Sequence, residues 1–165
     1  MKFSTVVVIM ITAMGLSCSD TPAGEEGVVL EDVVEIEFGS NAHYYPQEGD
    51  VTKKISSGSV FQQEWETVHQ SMIPIPELPE VNFNERMVIL LMIEGKSTGG
   101  YTIDGPQIRL VDDQIVVKYA EVHPGNSCGT TQALTRPYKF ISIPKSDKNI
   151  KFQKGKTIFF DCSKL

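Results

Sequence analysis

The clearest pattern is a near-continuous apolar run, "RMVILLMIEG", from Arg86 to Gly95. It shows no alternation, so it reads as a strand covered on both faces. Elsewhere the period is two. Val34, Ile36 and Phe38 alternate with Glu35 and Glu37, which predicts a half-buried strand. "YTIDGPQIRLV" and "QIVVKYAEV" alternate on either side of Asp112-Asp113, which predicts an antiparallel hairpin. "YKFISIP" and "KTIFFDC" read as the last two strands, with "KSDKNIKFQKG" between them.

A period near 3.6 occurs once. In "SSGSVFQQEWETVHQSM" the positions Phe61, Trp65, Val68 and Met72 form an apolar stripe. Ser59 and Gln62 are spaced as a capping box. His69 is expected beside the stripe, at the helix surface. "PIPELPEVNF" then forces an extended connector, because each proline fixes φ and lacks a donor. "GSNAHYYPQEGD" and "HPGNSCGTTQ" read as loops. The fold class is therefore α+β: one helix packed on a mainly antiparallel sheet of about six or seven strands, able to curl toward a barrel.

The first residues change the picture of where the domain begins. Lys2 precedes an apolar run from Val6 to Leu16, then small residues and Cys18. That is a secretory signal pattern, too short for a comfortable membrane span. "GLSC" also resembles the lipobox of bacterial lipoproteins, with Gly15 where Leu is usual. The expected organisation is a signal peptide over 1–17, a lipidated tether over 18–30 and one domain over 31–165. Cys18 would carry the lipid, and the protein would sit in the bacterial cell envelope. Cys128 and Cys162 then remain as an even pair in an oxidising compartment, which predicts a disulfide.

Charge and motifs narrow the chemistry. The formal net charge is −6, and no basic face is evident, which argues against nucleic acid. Gly95-Lys96-Ser97 could end a phosphate loop, but that motif needs Gly where Leu90 stands, and a helix must follow. No nucleotide or other cofactor is expected. His43, His69 and His123 are too scattered for a metal site. His123 lies near Cys128, but a disulfide would consume that thiol, and no serine-nucleophile elbow is present. No catalytic residue is assigned, and no enzymatic activity is expected.

Two loops stand out: "EGKSTGGY", where Gly99 and Gly100 permit a sharp reversal, and "HPGNSCGTTQALTRPY". With Asn82 and Phe83, the motifs Thr98-Gly99-Gly100-Tyr101, Pro124-Gly125, Thr131 to Thr135, and Pro137-Tyr138 resemble the C-terminal domain of PrcB-type protease complex subunits. The resemblance spans about residues 60 to 145, including the helix around Trp65. The two cysteines at 128 and 162 depart from it. It implies a small exported bacterial domain that binds or assembles with an exported partner such as a protease. Thr98, Gly99, Gly100, Tyr101, Thr135, Arg136, Pro137 and Tyr138 are the expected partner-binding residues. A second reading is a protease inhibitor, because the Gly-rich loop before Tyr101 also resembles the binding loop of chagasin-like domains.

Overall fold

A computed structural model describes residues 27–164. The expected signal peptide and the lipidation site Cys18 lie outside the described residues. Among the described residues nine strands and one α-helix follow in order, with a short 3-10 helix at Cys162–Lys164 after them: β1 Val28–Val29, β2 Val34–Gly39, β3 Val51–Ile55, α1 Gly58–Val68, β4 Arg86–Met92, β5 Thr102–Val111, β6 Gln114–Pro124, β7 Tyr138–Pro144, β8 Asn149–Lys154 and β9 Ile158–Phe160. Val28 and Val29 already pair with Leu110 and Arg109, so the last residues of the expected tether belong to a sheet.

The strands form two sheets rather than one, and neither closes into a barrel. The first runs β2-β7-β4-β3, all antiparallel. The second runs β1-β5-β6, and both β8 and β9 add in parallel to the free edge of β6. The helix covers one face of the first sheet, and the second sheet covers the other. The result is three layers with two cores.

Strand β4 lies at the centre of this arrangement. Val88, Leu90 and Met92 face the helix with Phe61, Trp65, Val68 and Phe140. Met87, Ile89, Leu91 and Ile93 face the second sheet with Ile103, Ile108, Ile115, Val117 and Ile141. A strand flanked by two apolar layers can afford no polar phase, which is why its sequence does not alternate.

Several local expectations are corrected. The helix begins at Gly58, capped by Ser57, whose side chain accepts from Val60 N. Ser57 has the extended backbone that a cap requires, so the cap lies two residues before Ser59. The helix stops at Val68. Met72 therefore leaves the stripe and is partly exposed. His69 is fully buried, and its Nδ1–H donates to the Trp65 carbonyl at 2.7 Å, closing the helix end. Beyond it, Trp65 Nε1 donates to Pro76 O at 3.0 Å and pins the proline-rich connector to the core.

In β2 a register shift between Glu35 and Glu37 breaks the alternation. Ile36 still packs on the core, but Val34 and Phe38 are exposed and Glu37 turns inward. β3 (VTKKI) and β8 (NIKFQK) were not foreseen, because each carries few apolar residues and lies on a sheet edge.

The expected disulfide forms. Cys128 and Cys162 are bonded, with Cα atoms 5.1 Å apart and a sequence separation of 34. It fastens the segment after β6 to the segment after β9. Gly125 N donates to Phe160 O at 2.8 Å beside it. Replacing both cysteines by serine should lower the unfolding free energy by about 3–4 kcal/mol in the chain-entropy picture. Urea denaturation of the oxidised protein and the double variant measures this; equal midpoints would show that the crosslink constrains nothing.

Candidate functional site

The chain crosses between the two sheets at one end, once from β4 to β5 and once back from β6 to β7. These two crossings are the loops that the sequence singled out, and they lie side by side. Lys96 and Thr135 exchange backbone hydrogen bonds of 2.7 and 2.9 Å. Gly99 N donates to Thr131 O at 2.9 Å, and Thr135 Oγ1 donates to Thr98 O at 2.7 Å. The glycines follow from this lacing. A Cβ at Gly99 would lie 2.3 Å from Thr131 Oγ1. Gly100 has φ +91°, and a Cβ there would also press on Pro124.

The eight expected contact residues divide into two groups. Gly100 is exposed, and Thr98, Tyr101 and Thr135 are half-buried at the rim. Gly99, Arg136, Pro137 and Tyr138 are buried, so they support the rim rather than meet a partner. Arg136 is 5 % exposed and donates to the carbonyls of Tyr45, Gln47 and Gly49 at 3.0, 2.6 and 2.7 Å. This gathers the 43–49 loop against the crossings. Burial lowers the pKa of its guanidinium, but the carbonyl cage suits the charged form.

Tyr138 lies inside the helix-side core. Its hydroxyl donates to Glu37 Oε1 at 2.9 Å and lies 2.9 Å from His69 Nε2. Burial, and then the Glu37 carboxylate, push its phenol well above the usual range. Gly39 is required here too, since a Cβ would meet the Tyr138 hydroxyl at 2.6 Å.

Under the rim lies a charged cluster. Glu121 is 6 % exposed and occupies the inward phase of β6 after Ile115, Val117 and Tyr119. Its Oε1 accepts from Lys96 Nζ at 2.6 Å and pairs with His123 Nε2 at 2.7 Å. Its Oε2 accepts from Lys154 Nζ at 2.8 Å, and Lys154 also reaches Asp50 at 2.7 Å. Asp50 in turn accepts from Glu94 N. The cluster thus ties β6, β8, the start of β3 and the first crossing together where the inter-sheet core meets solvent. Burial pushes the Glu121 carboxyl up, but Lys154, Lys96 and His123 outweigh it and hold it down at about 2. Burial works against the Lys154 ammonium, and Asp50 and Glu121 outweigh it, raising it to about 12.

Above the cluster the surface becomes apolar. Tyr101, His123 and Phe159 form a row with ring centroids 4.9 and 5.5 Å apart, and Phe159 is 70 % exposed. Lys96 lies 5.4 Å from the Tyr101 ring and also lines a cleft of about 500 Å³ with Tyr45, Glu94, Leu134 and Arg136. Leu134, at the cleft mouth, is 69 % exposed. Sequence reasoning missed Glu121, Lys154 and Asp50. The available signal was a carboxylate falling on an apolar phase, which in a buried strand demands cationic partners.

The PrcB C-terminal family model matches residues 87–144, which run from β4 through β7 and include both crossings. This bears out the kinship implied by the loop motifs. No curated protein and no solved structure matches the chain.

Because the Glu121 pKa is depressed on folding, its contribution to stability is fully present above 4.5 and is lost as pH falls toward about 2. The contribution is at most about 3 kcal/mol. Glu121→Gln should lower the unfolding free energy near neutral pH, and the gap to wild type should shrink through that acid window. Denaturant titrations across the window test this; parallel losses in both proteins would refute it.

Proposed function

We propose that this domain, with a PrcB C-terminal match over its two sheet crossings, is a non-catalytic docking and assembly module. Its partner would be an exported protein, and the most specific form of the reading is an accessory subunit of an exported protease complex. In this reading residues 1–17 are a signal peptide, and Cys18 carries a lipid that holds the module in the bacterial cell envelope.

The observation that carries the reading is the construction of the rim. Its base is rigid, through the ladder between Lys96 and Thr135, the carbonyl cage of Arg136 and the Glu121 cluster. On that base it displays large apolar side chains to solvent, Leu134 and Phe159. A pre-organised patch with apolar centres and polar borders is what a stable protein contact needs. Cys128 is bonded to Cys162, so its sulfur cannot act as a nucleophile beside His123. The inhibitor alternative gains no support from the loop's placement. A loop that enters a protease cleft has to project, whereas Thr98 and Gly99 are laced along 131–135.

The test is capture from envelope extracts with purified domain, followed by labelling of the eluate with a serine-hydrolase probe. Wild type should retain a labelled exported protease. Leu134→Asp and Phe159→Asp should each reduce the yield by about tenfold, as loss of a central contact does. Val60→Asp, on the exposed helix face, should not. No labelled protease, or equal capture by all variants, would overturn the proposal.

A further inference from the structure

We propose that the outer face of the second sheet is a binding site for an acidic saccharide. This face lies on the opposite side of β5 and β6 from the inter-sheet core, and neither the family match nor the rim accounts for its composition. The strand registers arrange it as a grid. One row across β5, β6 and β8 is Gln107, Lys118 and Gln153; the next is Arg109, Val116 and Lys151. All six line one cavity of about 290 Å³, and Gln114 extends it along β6.

The cavity exists because the central side chain is short. Val116 forms the floor, and longer side chains surround it on three strands. Neighbouring strands stand about 4.8 Å apart, so Arg109 and Lys151 are about 10 Å apart across the floor. Lys118 is two residues along β6 from Val116, on the same face. Three cations therefore border one apolar floor. Arg109 and Lys118 each also take part in a further interaction, so neither is a free cation.

The charge is selective. The chain has a net charge of −6, with 21 acidic residues against 15 basic ones, yet neither row contains a carboxylate. Among the described residues, the one acid lining the cavity is Asp112, at the hairpin end. An ordinary solvated strand face mixes both signs. The three glutamines add what a simple anion would not need. A carboxamide both donates and accepts, which matches neighbouring hydroxyls. Cations for an acid group and amides for hydroxyls together describe an acidic sugar. A lipid surface fits less well, since the face is concave and its floor is one valine, whereas interfacial anchors project apolar side chains.

The test is calorimetric titration of the purified domain with trigalacturonate, glucose 6-phosphate, neutral maltotriose, inorganic phosphate and phosphatidylglycerol vesicles. At least one acidic saccharide should bind, and maltotriose about tenfold more weakly or not at all. Val116→Tyr fills the floor while keeping every cation and should abolish binding. Lys151→Gln, at an exposed position, should weaken it about tenfold with no change in thermal unfolding. The proposal is overturned if no acidic saccharide binds, or if Lys151→Gln leaves affinity unchanged. It is equally overturned if phosphate alone binds as tightly as the sugars, which means an ion site only, or if only vesicles bind.

Discussion

The burial of both faces of β4 is the constraint on which the rest of the structure depends. Seven consecutive side chains, Met87 to Ile93, are at most 1 % exposed. Such a strand needs an apolar layer on each side. The helix with Phe61 and Trp65 supplies one, and the β5–β6 hairpin supplies the other. The chain must then pass from one sheet to the other and back. Because β4 leaves its sheet at the same end where β7 re-enters it, both crossings fall on one rim. The candidate site is thus a by-product of how the centre is covered.

Polar groups near that rim are handled by consumption rather than display. Arg136 is spent on carbonyls, Tyr138 on Glu37 and His69, and Glu121 on two lysines and a histidine. Each would be costly if left unpaired in its surroundings. What reaches solvent is a fixed backbone frame with Leu134, Phe159 and part of Tyr101 on it. The motif residues that look most chemical in the sequence are therefore mostly structural, and the exposed apolar ones carry the contact surface.

Much of this was legible in the sequence, and the exceptions have separate physical causes. The doubly covered strand, the β5–β6 hairpin, the helix stripe apart from Met72 and the cysteine pair follow from local period and composition, and each is present. The edge strands β3 and β8 were missed, because an edge needs few apolar residues and lysine is at home there. Ser57 and Ser59 are equally good caps by type, and only backbone geometry chooses between them. The count of two sheets depends on which strands pair, and alternation is silent on pairing. Arg136 and Tyr138 looked like surface residues because burial of a polar side chain depends on partners far away in sequence, such as Glu37 and the carbonyls of 45–49.

The placement of β1, β8 and β9 also has a kinetic side. The β5–β6 hairpin is bordered on one edge by the earliest strand and on the other by the two latest. Parallel pairing with β6 joins residues separated by a long connection, and such contacts are slow to form. During synthesis the hairpin can form and cover β4 early, but its outer edge stays open until residue 160 has emerged. The Cys128–Cys162 bond joins the chain just beyond β6 to the chain just beyond β9, so oxidation acts as a latch that holds this late-made edge closed.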